Sequence, residues 1–206
     1  MAKLMYIKAS PRGERSHSIK VADAFVQSYL AAHPGTEVLE RNVFDMDLPS
    51  FDGLAIQGKY NIMHGREFSP EQEKAWQSVV RVIEDFKQAD VYVFAVPMWN
   101  FQIPYRLKHL LDLVIQPTYT FNKDETGYHG LLADKKAFVA YARIGSYPKG
   151  TPAEAFDHQE PYFRFILGFI GITDVQAVAL ENTASPEIGK DTQAAVAQAK
   201  EIAAGF

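Results

Sequence analysis

The chain has 206 residues, 47% of them apolar and 22% charged, and carries a formal net charge of −4 from 21 basic and 25 acidic side chains. That balance gives no electrostatic case for a nucleic acid or an anionic membrane as partner, and falls short of the acidity of a carrier steered to a basic surface. The lack of cysteine excludes disulfides, iron–sulfur clusters and cysteine nucleophiles.

No apolar run approaches a membrane-spanning length, and the opening MAKLMYIKAS is too interrupted by lysine for a signal sequence. A cytoplasmic location is expected. The length is that of one domain over residues 1–206, large enough to bury a full core.

Leu4 to Ala9 reads as a first strand, followed by the polar turn SPRGERSHS from Ser10 to Ser18. A helix over Ile19 to Ala32 places Ala22, Phe25, Val26, Tyr29 and Leu30 on one stripe, with Ser18 as its N-cap and Pro34-Gly35 as its stop. Thr36 to Asn42 alternates as a second strand, completing a βαβ unit with a right-handed crossover. From Val43 to Phe68, Pro49, Gly53, Gly58 and Gly65 interrupt scattered apolar groups, among them Phe44, Phe51, Ile56, Tyr60 and Ile62. So long a connection in a compact domain points to function or to an interface, with room for short helices.

Ser69-Pro70-Glu71-Gln72 supplies an N-cap, a first-turn proline and a capping-box glutamine to a helix carrying Trp76, Val79, Val80, Ile83 and Phe86 inward. Val91 to Val96 is then a continuous apolar run, the mark of a strand buried on both faces. It stops at Pro97 and passes into Met98-Trp99-Asn100-Phe101, an unusual set for a plain loop. A helix over Pro104 to Ile115 follows, ended by Pro117. Tyr119 to Leu132 reads as a loop or hairpin, Lys136 to Ala142 as a fourth strand and Pro161 to Ile170 as a short apolar helix. Val175 to Leu180 forms a fifth strand, and a last helix from Ser185-Pro186-Glu187 runs to near Phe206.

Five strands alternating with helices make an α/β, three-layer sandwich with a parallel sheet and helices on both faces. The flavodoxin-like order 2-1-3-4-5 uses five strands and puts its ligand crevice between strands one and three. Ser10, Ser16, His17 and Ser18 then face Met98 to Phe101 across that crevice, beside Ala142, Arg143, Ile144 and Gly145. The first group meets a helix N-terminus and suits a phosphate. It is neither GxxxxGK[ST] nor GxGxxG. The second suits a flat heteroaromatic ring, and the third borders its other edge. Each has a plainer reading: a solvated turn, core aromatics, and an ordinary strand-to-helix turn.

On these residues the chain resembles the FMN-dependent NADH-azoreductases, flavodoxin-like NADH:quinone oxidoreductases. The resemblance spans nearly the whole chain. It rests on K-x-S and S-x-S (Lys8, Ser10, Ser16, Ser18), on P-M-[YW]-N-F (Pro97 to Phe101) and on LGFIGITDV (Leu167 to Val175). It implies FMN held at its phosphate by Ser10 and Ser16-His17-Ser18. The ring would be held by Met98, Trp99, Asn100 and Phe101 with Ala142, Arg143, Ile144 and Gly145. NADH is the implied electron donor, a quinone or azo compound the acceptor, and two-electron ping-pong transfer the mechanism.

The same resemblance implies a homodimer, with Phe121, Tyr128 and Phe163 as substrate-pocket residues, packing and dimer contacts being their alternative. No metal and no acid–base residue is called for, and His109 and His129 are read as surface residues. Two departures stand out. Trp99 occupies a position where Tyr is frequent, and ARIG replaces Ser-Arg-Gly-Gly, so Ile144 crowds a place that glycine leaves open. A non-enzymatic flavodoxin carrier and a flavin-free binding module are the competing classes; an α/β-hydrolase lacks its GxSxG.

Overall fold

The computed structural model describes residues 1–67 and 69–206, and of residue 62 only the backbone. Phe68 and the Ile62 side chain, counted above among the apolar groups of the long connection, lie outside the described residues.

The sheet strands are β1 (Lys3–Lys8), β2 (Glu37–Asn42), β3 (Val91–Pro97), β6 (Lys136–Ala142) and β7 (Asp174–Leu180). They lie in the order β2-β1-β3-β6-β7, and every neighbouring pair is parallel. The expected numbering covered the sheet alone. Between β3 and β6 the chain also forms an antiparallel hairpin, β4 (Phe121–Asp124) with β5 (Gly127–Gly130), which makes seven strands among the described residues.

Alternation along the strands builds two cores, because successive side chains point to opposite faces. Met5, Ile7, Tyr92, Phe94, Val96, Val139 and Tyr141 face one side, under α3 (Pro70–Lys87), α4 (Tyr105–Val114) and α5 (Glu160–Phe169). Leu4, Tyr6, Val93, Ala95, Phe138 and Ala140 face the other, under α1 (His17–Ala32) and α6 (Ile188–Ala204). There the Phe25 ring stacks on Phe138 at 4.1 Å. β3, flanked by β1 and β6, has both faces covered, which is why its sequence is apolar without alternation.

The capping box of α3 is present as the sequence anticipates: Ser69 Oγ accepts from Gln72 N–H, and Gln72 Oε1 accepts from Ser69 N–H at 3.0 Å. The long connection contains α2 (Gly53–Met63), which packs on α3. Its earlier part is held by α4: Arg106 donates from Nε to the Val43 carbonyl at 2.8 Å and from Nη2 to the Met46 carbonyl at 2.6 Å. His109, read as a surface residue, is instead partly buried, with Nε2 2.9 Å from the Pro49 carbonyl oxygen.

One boundary needs correction. Helix α1 starts at His17, and its N-cap is Ser16, in extended backbone with Oγ accepting from Ile19 N–H at 3.4 Å. Ser18 is already inside the first turn.

Candidate functional site

Three loops meet at the carboxyl edge of the sheet because β1, β3 and β6 are parallel neighbours. The first leaves β1, runs through a 3-10 turn at Gly13–Arg15 and enters α1. Ser10, Ser16 and Ser18 are all buried there. Ser16 and Ser18 hydroxyls lie 3.1 Å apart, and Ser10 Oγ accepts from Arg12 N–H at 3.4 Å. Among the described residues the N–H groups of His17 and Ser18 have no internal acceptor, and buried His17 Nδ1 has no partner. Unpaired donors at a helix N-terminus, with the positive end of its dipole, form a ready anion site.

The His17 imidazole is held below its ordinary value of 6.5, first by burial and then by the Arg12 and Lys20 cations. Its neutral form is the one the fold prefers. As pH falls through 6.5 the unfolded chain binds the proton more readily than the native one, so this group's contribution to stability is lost on acidification. The Tm of the cofactor-free protein is expected to fall between about pH 7 and pH 5. His17→Gln should make that fall shallower; identical slopes would contradict the assignment.

The second loop is a tight turn. Trp99 N–H donates to the Gln102 carbonyl at 2.8 Å and Gln102 N–H to the Trp99 carbonyl at 3.0 Å. Between them Asn100 and Phe101 both have positive φ, 48° and 68°. That is the pattern of a type I′ turn, natural for asparagine but strained for phenylalanine by about 1–2 kcal/mol. Neither N–H of the pair has an internal acceptor among the described residues, so both are available to a ligand edge. Trp99 is 37% exposed and leans on Phe44 at 5.7 Å and Tyr105 at 6.3 Å; Phe101 is 47% exposed and leans on Phe156 at 5.5 Å. These aromatics therefore do not complete the core. Met98 N–H is committed, donating to the Ala142 carbonyl at 2.8 Å.

Phe101→Gly is expected to leave the unfolding free energy within about 1 kcal/mol of wild type, because relief of the left-handed strain offsets the lost ring contacts and the gained chain entropy. Ligand affinity at the turn should nevertheless drop. A thermal melt and a binding titration on the same preparation separate the two, and a loss above about 3 kcal/mol would place Phe101 in the core after all.

In the third loop Ala142 is buried, and Ile144, 74% exposed, stands at the rim. Gly145 lies beneath Tyr147, whose hydroxyl would be 2.7 Å from an added Cβ. Arg143 is committed to protein partners. Its N–H donates to the Leu180 carbonyl at 3.0 Å, its carbonyl accepts from Thr183 N–H at 3.1 Å, and its side chain is buried among carboxylates.

The pocket residues separate. Phe121 and Tyr128 meet at 5.9 Å and both pack on Phe169. They line a cavity of about 410 Å³ with Lys59, Met63, Pro117, Thr118, Asn122 and Lys123, which shares no lining residue with the three loops. Phe163 must be corrected: it is 0% exposed, edge-on to Phe94 at 5.0 Å, and is a core residue of α5.

The profile of a family described as a flavodoxin-like fold matches residues 2–203. An FMN-dependent NADH:quinone oxidoreductase of Nitratidesulfovibrio vulgaris is 52% identical over 209 aligned positions that cover all of both chains. The chain belongs to this flavodoxin-like family of FMN-dependent NADH:quinone oxidoreductases. A relative of the same description from Desulfotalea psychrophila is 37% identical over 98% of this chain and 95% of its own. Among solved structures, an azoreductase from Bacillus anthracis superposes with a TM-score of 0.91 at 30% identity over the full length of both chains. An FMN-dependent NADH-azoreductase of the same species, in complex with FMN, does so with 0.88 at 28% identity, over 100% of this chain and 99% of the other.

Within this family, the chain's own features suit an FMN-shaped ligand. Buried hydroxyls and an unpartnered Nδ1 at a helix start offer donors to a phosphate, and free N–H groups on an exposed aromatic turn offer an edge and faces to a planar ring.

Proposed function

We propose that this chain is an FMN-dependent oxidoreductase that takes electrons from NADH and reduces quinones and aromatic azo compounds. The observation that most supports this reading is the pairing of an unsatisfied helix start with a strained aromatic turn across β1 and β3. When bound, FMN would supply the two-electron redox chemistry that links NADH to the acceptor in separate half-reactions.

The protein binds, orients and excludes water. Ser10, Ser16 and Ser18 hydroxyls with the first N–H groups of α1 hold the phosphate, and Arg12 and Lys20 add positive charge nearby. Asn100 and Phe101 N–H groups meet a polar edge of the ring, while Trp99 and Phe101 shield it from water. Ala142, Ile144 and Gly145 border the opposite edge. No residue of this arrangement is assigned as acid or base.

In this reading residues 1–206 act as one domain and pair as a homodimer in the cytoplasm, where NADH is held. Exposed Leu54, Ile56, Tyr60 and Met63 on α2 support a partnered surface. The separation of the Phe121–Tyr128 cavity from the three loops favours its completing the site of the other subunit.

Steady-state NADH consumption with a benzoquinone tests the proposal. Turnover that requires FMN, with parallel double-reciprocal lines for the two substrates, is expected. A protein that is reduced once and does not turn over is a carrier, and would overturn it.

A further inference from the structure

The Arg143 guanidinium, 2% exposed, faces three carboxylates. Nη1 lies 2.6 Å from Asp157 Oδ2 and 3.7 Å from Glu181 Oε1, and Nη2 lies 3.2 Å from Glu160 Oε2. Each acid has a second task. Glu181 accepts from the Ser146 hydroxyl and from Tyr147 N–H at 3.3 Å, so it clamps the loop after β6. Asp157 accepts from Gln159 N–H at 3.0 Å and Glu160 N–H at 3.1 Å, capping α5. Glu160 also pairs with Arg164 at 3.1 Å.

The capped segment reaches the aromatic turn. His158 N–H donates to the Phe101 carbonyl at 3.1 Å, and the Gln159 amide donates to the Val96 carbonyl at 3.1 Å. Phe156, in the preceding 3-10 turn at Pro152–Phe156, packs on Phe101. Two loops on separate strands are thus joined by one guanidinium: the loop at 142–147 directly, and the turn at 99–102 through Asp157 and His158. The turn has positive φ at both central residues, so its geometry depends on outside support.

We infer that Arg143 is a positioning residue that fixes the spacing of these two loops, and so the width of the slot for a planar ring, without touching the ring itself. This rests on the proposal that FMN lies between them. Lysine keeps the charge but not the planar fork that engages several carboxylates at once.

The test compares Arg143→Lys, Asp157→Asn and Glu181→Gln with Arg41→Lys, a control at the Arg41–Asp85 pair, 2.6 Å apart, between β2 and α3. Cofactor-free proteins are titrated with FMN, and visible circular dichroism is recorded at saturation. The three cluster variants should weaken FMN by at least about tenfold and alter the bound-flavin dichroism, since small misplacements of a binding frame have large effects. Arg41→Lys should match wild type in both. If Arg143→Lys does not fold, Asp157→Asn and Glu181→Gln decide alone. Wild-type affinity and dichroism in the folded cluster variants, with only Tm lowered, would reduce Arg143 to a structural ion pair and overturn the inference. A wild-type protein that does not bind FMN would instead overturn the proposed function.

Discussion

Ser16→Asp is expected to abolish FMN binding and leave the fold intact. Ser16 caps α1 through Oγ, and aspartate caps equally well while adding a negative charge that the helix dipole favours. The Tm of the cofactor-free protein should therefore match or exceed that of wild type. The same carboxylate would face the phosphate held at this helix start. Like charges about 4 Å apart repel by about 4 kcal/mol at the effective dielectric of a protein surface, roughly a thousandfold in affinity. Riboflavin, which lacks the phosphate, should bind wild type and variant alike. Unchanged FMN affinity in a folded Ser16→Asp protein would remove the phosphate from this loop.

The largest effect on stability is expected from Gly130→Ala. A Cβ there would lie 2.1 Å from Gly171 N, 2.3 Å from the Ile170 carbonyl carbon and 2.5 Å from Gly171 Cα. All three are backbone atoms at the end of α5, so no side chain can rotate away. The hairpin would have to lift, breaking the hydrogen bond from Leu132 N–H to the Ile170 carbonyl, 2.8 Å, and parting Phe121 and Tyr128 from Phe169. Overpacking of this kind costs about 3 kcal/mol or more, a Tm drop of roughly 6–12 °C for a chain of this size. A wild-type melting curve would show that the hairpin is not seated on α5.

The strand that centres the sheet and the loop it delivers are legible because both depend on local composition. Val91 to Val96 is apolar without alternation only if both faces are buried, and the Met-Trp-Asn-Phe run beyond it has no use as a plain connection. The α3 cap is legible for the same reason, since its partners are three residues apart. Other features depend on contacts that no local pattern encodes. Ser18 reads as the cap from the sequence, and only the extended backbone at Ser16, with its Oγ on Ile19 N–H, moves the cap two residues earlier. Helix α2 contains Gly53 and Gly58 and owes its existence to packing on α3.

Phe163 lies in PYFRFILGFI, which is apolar nearly all round, so the sequence does not separate a core face from a pocket face. The acids at 157, 160 and 181 show no spacing that would join them to Arg143. Only the fold brings them together, and it commits the Arg143 backbone and guanidinium to protein partners.

FMN binding across the carboxyl edge of β1, β3 and β6, and its reduction by NADH, are tested together by one anaerobic titration. Cofactor-free protein is saturated with FMN, freed of excess and titrated with NADH without oxygen, while the visible flavin absorbance is followed. One NADH per bound flavin should bleach that absorbance, and an added quinone should restore it. Protein that retains no FMN, or holds it in a form that NADH does not bleach, would contradict an FMN-dependent, NADH-driven site at this edge.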